Sequence, residues 1–545
     1  MMSSANTSFS GRSILGDDDR RSTIIWSAAV VCIVGGHLAV MLNYFEPAIW
    51  RPDASGYFGQ ARLIASTGHS WFRPESSAEY IPPNWVTVED GRVFSKYPPG
   101  LPLLAAALYR LGGLKAALLI NPVMASLTLL GLILLCRRLI GPWWALVAAL
   151  ILAVNPIANT QAQWAFSHTA VSFFLVFGLY ILMRWPDSRS LPPALLAGAM
   201  LGVVPTIRYA EVLIVAGVAV IVCLRAWTDR RSRRTAWAVG VGAGIPIAAL
   251  LVFNRVSFGA FLSTGYSTTG EQSAFSAACF VRHGQQVIEA LTLDGFGPLL
   301  AFGIIGIAMM CCKKENRRLG LALVCLIVPS TLLYIAYCFP VDGMDMRFFV
   351  PLFPLYSIAT VWVLQVLSSN RWRHGVALAS LALLIQFAWG LPVSLGSLRS
   401  HSYALRRLVE LTDVMEDRVP PGSIVVADKL VSMQLHLKGS WRLADENGFF
   451  ADKSNNTRLT AAARDIWRWA DGIREVYIVT TRQSMQRFER RLPSQDQLVI
   501  LETLAPQNLP GTRVVKKPNS APSLWLEDRV SSVVLAKWLR TKRGS

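Results

Sequence analysis

The sequence predicts a polytopic α-helical membrane protein with about eleven transmembrane helices and a soluble α/β domain at its C-terminal end. Three observations predict it. Hydrophobic residues make up 53% of the 545 and are gathered in long blocks rather than periodic stripes. A block of about 20 apolar residues is what crosses a hydrocarbon core as a helix. Basic residues cluster in short loops at every second end of those blocks. Past residue 396 the blocks stop, and shorter apolar runs alternate with segments charged on one face.

The expected spans centre near residues 24–45, 116–136, 143–163, 169–184, 192–207, 211–226, 236–253, 295–312, 319–337, 348–367 and 375–396. The first follows a long polar leader without a small-residue cleavage site, so it reads as an anchored helix rather than a removed signal peptide. Arg20-Arg21, Arg137-Arg138, Arg184 with Arg189, Arg230 to Arg234, Lys313 to Arg318, and Arg371 with Arg373 mark one side. Positive loops stay in the cytoplasm, which puts the N-terminus inside and, after an odd number of crossings, the C-terminus outside. The net charge of +19 is accounted for by this placement and implies no nucleic-acid partner. Three regions follow: 1–23 as a cytoplasmic tail, 24–396 as the transmembrane domain with outer loop 46–114, and 397–545 as the outer α/β domain.

The outer loop carries most of the signal. "RPDASGYFGQARLIASTG" starts a helix with Pro52 at its first position and Asp53 in its first turn, where the helix dipole favours an anion. "WVTVEDGRVF" alternates around Asp90-Gly91, a hairpin turn signal. "KYPPGLPLLAAALYRLGG" reads as a Pro-led apolar helix ending at Gly112-Gly113, too short from Leu101 to Leu111 to cross, and so interfacial. A second outer segment is "NRVSFGAFLSTGYSTTGEQSAFSAACFVRHGQQ". Beyond 397, strands are expected at 423–428, 476–481 and 498–504, and helices at "YALRRLVELTDVMEDR" and "LTAAARDIWRWADG"; "SSVVLAKWL" is too short and too charged for a twelfth span. None of the eight cysteines shows metal or redox spacing. Cys279 and Cys338 fall on the same outer side, where a pair can form, but read more simply as free, partly buried thiols.

A few polar residues stand out against this apolar background. Asp53 is either a helix-start residue or a base, and Tyr57 projects from the same helix face. Lys96, Arg208 and Arg347 lie at outer boundaries, against the positive-inside trend. Snorkelling to lipid explains Lys96 and Arg347 as well as anion binding does, and Glu211 is a ready structural partner for Arg208. His168, at the outer end of the fourth span, reads alone as a hydrogen-bonded packing residue, and no metal site follows from it.

Taken in order, "DASGYFGQARLIASTG", "GRVFSKYPPGLPLLAAALYRLGG", "FSHTAVSFFL", "GAMLGVVPTIRYAEVLI", "NRVSFGAFLSTGY" and "RFFVPLFPL" give the chain a family likeness. Over about residues 24–396 it resembles the bacterial polyprenyl-phosphate-sugar-dependent glycosyltransferases of the C-type (GT-C) fold, related to protein O-mannosyltransferases and lipid A aminoarabinose transferases. The resemblance implies a bacterial inner-membrane hexosyl- or pentosyltransferase that inverts the sugar. Its donor would be a sugar on a polyprenyl phosphate in the membrane, its acceptor an outer-side lipid, glycan or protein. Asp53 matches the catalytic carboxylate. Lys96, Arg347, Tyr57, Arg208, His168, Tyr97 and Tyr266 fall where donor phosphate or substrate binds. The chain departs from several members in having no second carboxylate in "NPIANTQAQWAFSH", which leaves no acid-bound cofactor identified and a divalent metal open. Two rival classes are a polytopic transporter, for which matched halves are missing, and a non-catalytic scaffold whose Asp53, Lys96 and Arg347 would be replaceable.

Overall fold

The apolar blocks fold as helices, and proline, glycine and asparagine decide where each begins and ends. The computed structural model describes residues 17–184, 191–230, 232–339, 343–368, 371–446, 464–470, 474–491, 496–504 and 533–540. α1 (Asp17–Asn43) leads to α2 (Pro52–Thr67), which opens on Pro52 and closes on Gly68 at φ 76°, a left-handed C-cap that glycine adopts without strain. β1 (Trp71–Phe72), β2 (Trp85–Thr87) and β3 (Val93–Ser95) form an antiparallel sheet in the order β1-β3-β2. The expected turn joins β2 to β3, with Gly91 at φ 80° and Asp90 accepting from the Arg92 N–H at 3.0 Å.

α3 (Gly100–Leu118) is 19 residues long but loses helical geometry at Gly112 and Gly113, as the paired glycines predict. α4 (Ile120–Leu139) follows, then α5 (Pro142–Ala153) and α6 (Pro156–Gln163). At the junction of these two, Asn155 caps α6 by accepting from the Ala158 N–H at 3.0 Å. α7 (Ser167–Arg184), α8 (Leu191–Ile207), α9 (Val212–Thr228) and α10 (Ser232–Phe258) complete the first part of the bundle. α11 (Gly265–Thr268) and the start of α12 (Ala277–Leu291) lie in the second segment expected to be outer. α13 (Leu299–Cys312), α14 (Arg317–Ala336), α15 (Phe353–Leu367) and α16 (Trp372–Arg418) close the bundle.

Among the described residues nine helices are long and apolar enough to cross a membrane, or eleven if each of two bent pairs is one span. The pairs are α5 with α6, bent by 62°, and Ala277–Phe296 with α13, bent by 111°. This agrees with the expected count, though not with every member. α8 has only 17 residues, whereas Gly100–Leu118, expected to be interfacial, passes on length and composition. α16 runs 47 residues without interruption through position 397, so the chain leaves the last span and enters the α/β region as one helix.

The α/β region is a five-stranded sheet. β4 (Ile424–Ala427), α17 (Lys429–Lys438) and β5 (Arg442–Asp445) make a βαβ unit, β6 (Val476–Thr481) lies parallel to β4, and β7 (Asp496–Leu504) and β8 (Val533–Arg540) are antiparallel additions, giving the order β5-β4-β6-β8-β7. "SSVVLAKWL" is thus a sheet strand. Of the helix expected at 459–472, residues 464–470 are helical and the rest lie outside the described residues, as do residues 1–16, Arg189 and Arg231. The sheet is not detached from the outer loop. Tyr80 N–H donates to Leu443 O at 2.7 Å, and Gln434 on α17 accepts from Ile49 N–H at 3.0 Å. One apolar core therefore runs from α2 and α3 into α16, α17 and β4.

One expectation is corrected. Cys279 and Cys338 form a disulfide rather than two free thiols. The reason is local strand pairing: Phe275 bridges Tyr337, Ser276 N–H donates to Ala336 O at 3.0 Å, and Cys338 N–H donates to Ala274 O at 2.7 Å. These bonds bring the two Cα atoms to 5.5 Å, a separation a disulfide spans.

Candidate active site

α2 carries Asp53 in its first turn, at one end of the bundle, where the carboxylate meets groups from other elements. Its Oδ1 accepts from the Tyr97 hydroxyl at 2.8 Å and from Asn84 Nδ2 at 3.3 Å, while Oδ2 faces Arg347 Nη2 at 3.5 Å. Tyr97 reaches this position because Gly56 leaves room: a Cβ there would stand 2.4 Å from the Tyr97 ring. The two rings of Tyr57 and Tyr97 stack with centroids 4.3 Å apart. The Asp53 side chain is 26% exposed, so an incoming group can still reach it. Burial pushes its carboxyl up, but Arg347, the Tyr97 hydroxyl, Lys96 and Arg208 more than offset that and hold it below the usual range. Burial pushes the Tyr57 phenol up to about 12, so it stays protonated.

Tyr57 makes no hydrogen bond to Asp53; its oxygen instead accepts from Ser167 at 2.9 Å, on the first turn of α7. Lys96, just after β3, is buried and ion-paired with Glu271 from the segment between α10 and α12. Its ammonium also lies 5.3 Å from the centre of the Tyr266 ring and 5.4 Å from that of Tyr97. The segment approaches so closely because of Gly265, where a Cβ would fall 2.2 Å from Lys96 Cα. Arg208 is buried in a network of its own: Nε donates to Glu211 at 3.3 Å, Nη1 to Ser167 at 3.4 Å and Nη2 to Tyr334 at 3.4 Å. Arg347 packs over the Phe348 ring at 4.8 Å.

His168 departs from the sequence expectation. It is buried with its ring against Phe166 and Phe348, and neither ring nitrogen has a hydrogen-bond partner among the described residues. The structure thus brings Asp53, Tyr57, Tyr97, Lys96, Tyr266, Arg208, Arg347 and His168 into one neighbourhood. Sequence reasoning missed Asn84 and Glu271. Asn84 lies in a turn and Glu271 opens a short 3-10 helix, where a single polar residue carries no periodic or motif signal, and only the tertiary fold reveals them. Among the described residues no group of three or more His, Cys, Asp or Glu is arranged to hold a metal ion. The arrangement suits proton transfer to a carboxylate beside cations able to receive an anion.

Residues 96–253 match the dolichyl-phosphate-mannose-protein mannosyltransferase family. No curated protein matches the chain in sequence. Among solved structures the chain is similar to ArnT from Cupriavidus metallidurans bound to undecaprenyl phosphate. The two are 14% identical, the match covers 93% of this chain and 97% of that one, and the TM-score is 0.56. The apo form of that protein gives 15% identity, 94% and 98% coverage, and a TM-score of 0.56. The arabinofuranosyltransferase AftD from Mycobacteria gives 14% identity and a TM-score of 0.50, with 94% of this chain covering 40% of that one. The family match is confined to residues 96–253 of the 545, and the solved structures, at 14–15% identity, show that the chain shares the fold of ArnT.

Proposed function

We propose that this chain transfers a sugar from a polyprenyl-phosphate donor to an acceptor on the outer side of a bacterial cytoplasmic membrane, inverting the anomeric carbon. The observation that carries the reading is the convergence of Asp53 with Arg347 and Lys96 at one end of the bundle. The undecaprenyl phosphate bound to ArnT supports the donor class, and the mannosyltransferase match over Lys96, His168 and Arg208 supports the reaction class. The acceptor hydroxyl gives its proton to Asp53 while its oxygen attacks the anomeric carbon. The bond from that carbon to the phosphate oxygen breaks, and the electron pair leaves on the polyprenyl phosphate. Arg347 and Lys96 receive the growing charge, for which the phosphate must compete with Asp53 and Glu271, their resting partners. Tyr57, Tyr97, Tyr266, Arg208 and His168 shape the pocket around the donor. In this reading residues 1–23 are cytoplasmic, 24–396 form the catalytic domain and 397–545 lie outside. The test is the lipid fraction of cells lacking the protein. A polyprenyl-phosphate-linked sugar should accumulate and disappear on complementation; an unchanged lipid-linked sugar pool contradicts the reading.

A further inference from the structure

Asn84 stands at φ 69°, in the left-handed region that asparagine tolerates better than most residues with a side chain. The hairpin fixes it there. Its carbonyl accepts from Lys96 N–H at 3.0 Å, continuing the β2–β3 ladder in which Trp85 pairs with Ser95. That backbone turn aims the side chain at α2. Nδ2 carries two hydrogens and has two acceptors, Asp53 Oδ1 at 3.3 Å and the Tyr97 oxygen at 3.0 Å. The opposite amide orientation would set a carbonyl oxygen against a carboxylate, so chemistry settles which end faces Asp53. Tyr97 in turn donates to the same Oδ1 at 2.8 Å. The three groups close a triangle that holds one carboxylate oxygen and leaves the other, Oδ2, toward Arg347.

From this triangle, and resting on the reading of Asp53 as general base, we propose that Asn84 is a positioning residue that assigns the two Asp53 oxygens. Oδ1 is held by Asn84 and Tyr97, and Oδ2 is the oxygen that takes the acceptor's proton. Asn84 touches neither Lys96 Nζ nor Arg347, so it acts on proton transfer rather than on donor binding. The charged and titratable groups around Asp53 are Arg347 before α15, Lys96 and Tyr97 after β3, Arg208 between α8 and α9, Tyr57 on α2, Tyr266 on α11 and Tyr337 after α14. None of them is removed when Asn84 is changed, although the Tyr97 hydroxyl loses the hydrogen bond from Asn84 Nδ2. Losing its hydrogen bond to the carboxylate therefore moves the acid limb of activity in one direction, upward.

Two substitutions separate the side chain from the backbone. Asn84→Gly accepts φ 69° without strain and deletes the amide, while Asn84→Asp keeps the shape and puts a second acceptor against Oδ1. The probe is the polyprenyl-phosphate-sugar fraction extracted from cells lacking the protein, with transfer followed across pH. In Asn84→Gly, kcat should fall about 10- to 10²-fold, the cost of a misplaced reacting group, with KM for the donor unchanged. Its acid limb should move up, and further up in Asn84→Asp. Wild-type kcat and pH profile in Asn84→Gly overturn the proposal, as does a loss of activity with the acid limb unmoved, which marks a merely structural role. Asp53→Asn is assayed beside them. If it transfers normally, the base reading falls and Asn84 with it; if it is inactive while Asn84→Gly is normal, only the role of Asn84 falls.

Discussion

Both oxygens of Asp53 are engaged in the resting protein, and the partner on each side has a different consequence. Arg347 is the strongest of the groups holding the carboxyl down against its burial. A depressed carboxyl keeps its charged form to lower pH, so activity that needs a carboxylate base persists below the usual carboxylate range and is lost as pH falls through the lowered value. Arg347→Ala should therefore move the acid limb of kcat/KM upward and raise KM for the lipid donor. Arg347→Lys should restore part of both, because the charge returns without the planar fork. A pH–rate profile of the two variants checks this. Lys96 and Arg208 differ in what their loss leaves behind. Glu271, the partner of Lys96, is 28% exposed and can turn to water, whereas Glu211, the partner of Arg208, is 1% exposed. Lys96→Ala should thus keep its unfolding temperature and lose donor binding. Arg208→Ala should cost about 3–5 kcal/mol of stability, the scale for breaking a buried pair, and unfold at a lower temperature in a detergent melt.

At the scale of elements, the segment between α10 and α12 is held at both ends. Gly265 rests on Lys96 at one end, and the pairing of Phe275 with Tyr337, locked by the Cys279–Cys338 disulfide, holds the other. Glu271 and Tyr266 lie between these anchors. Cys279→Ser should leave the bundle folded but loosen the segment over Lys96, raising KM for the lipid donor more than it lowers kcat; steady-state kinetics without reductant measure this. The disulfide also marks where the sequence stops being legible. The apolar blocks, the Asp90-Gly91 turn and the Gly112-Gly113 break announce themselves locally, since each is written in length or in residues with special backbone freedom. The pairing of residue 275 with 337 depends on how α14 returns past α12, and no local pattern encodes that. The same holds within the site. Lys96, Arg208 and Arg347 were visible as charges out of place, Asp53 as a carboxylate in the first turn of a helix, and Tyr97 as part of a motif. Asn84, in a turn, and Glu271, in a short 3-10 helix, are ordinary polar residues until folding brings them to Asp53 and Lys96.

The whole molecule couples a membrane bundle to an α/β region that grips the helix carrying Asp53. α17 packs on the outer segment through Gln434 and Ile49, and α16 joins the two regions without a break. These contacts put α2, the hairpin and the α/β region together, and the positive-inside trend predicts that they lie opposite the basic loop Lys313 to Arg318. Single cysteines at Ser77 and Lys314, in a background without the free cysteines, test the orientation with a membrane-impermeant reagent. Ser77→Cys should be labelled in intact spheroplasts and Lys314→Cys only after lysis. Everything proposed for this side converges on one carboxylate, so the most direct measurement is sugar transfer by Asp53→Asn. Asparagine preserves size and suits a helix start, so folding should be spared, but it accepts no proton. With equal amounts of folded protein and the cell-derived lipid donor, the account predicts a rate at least about 10²-fold below wild type. A folded Asp53→Asn protein that transfers sugar at the wild-type rate would contradict it.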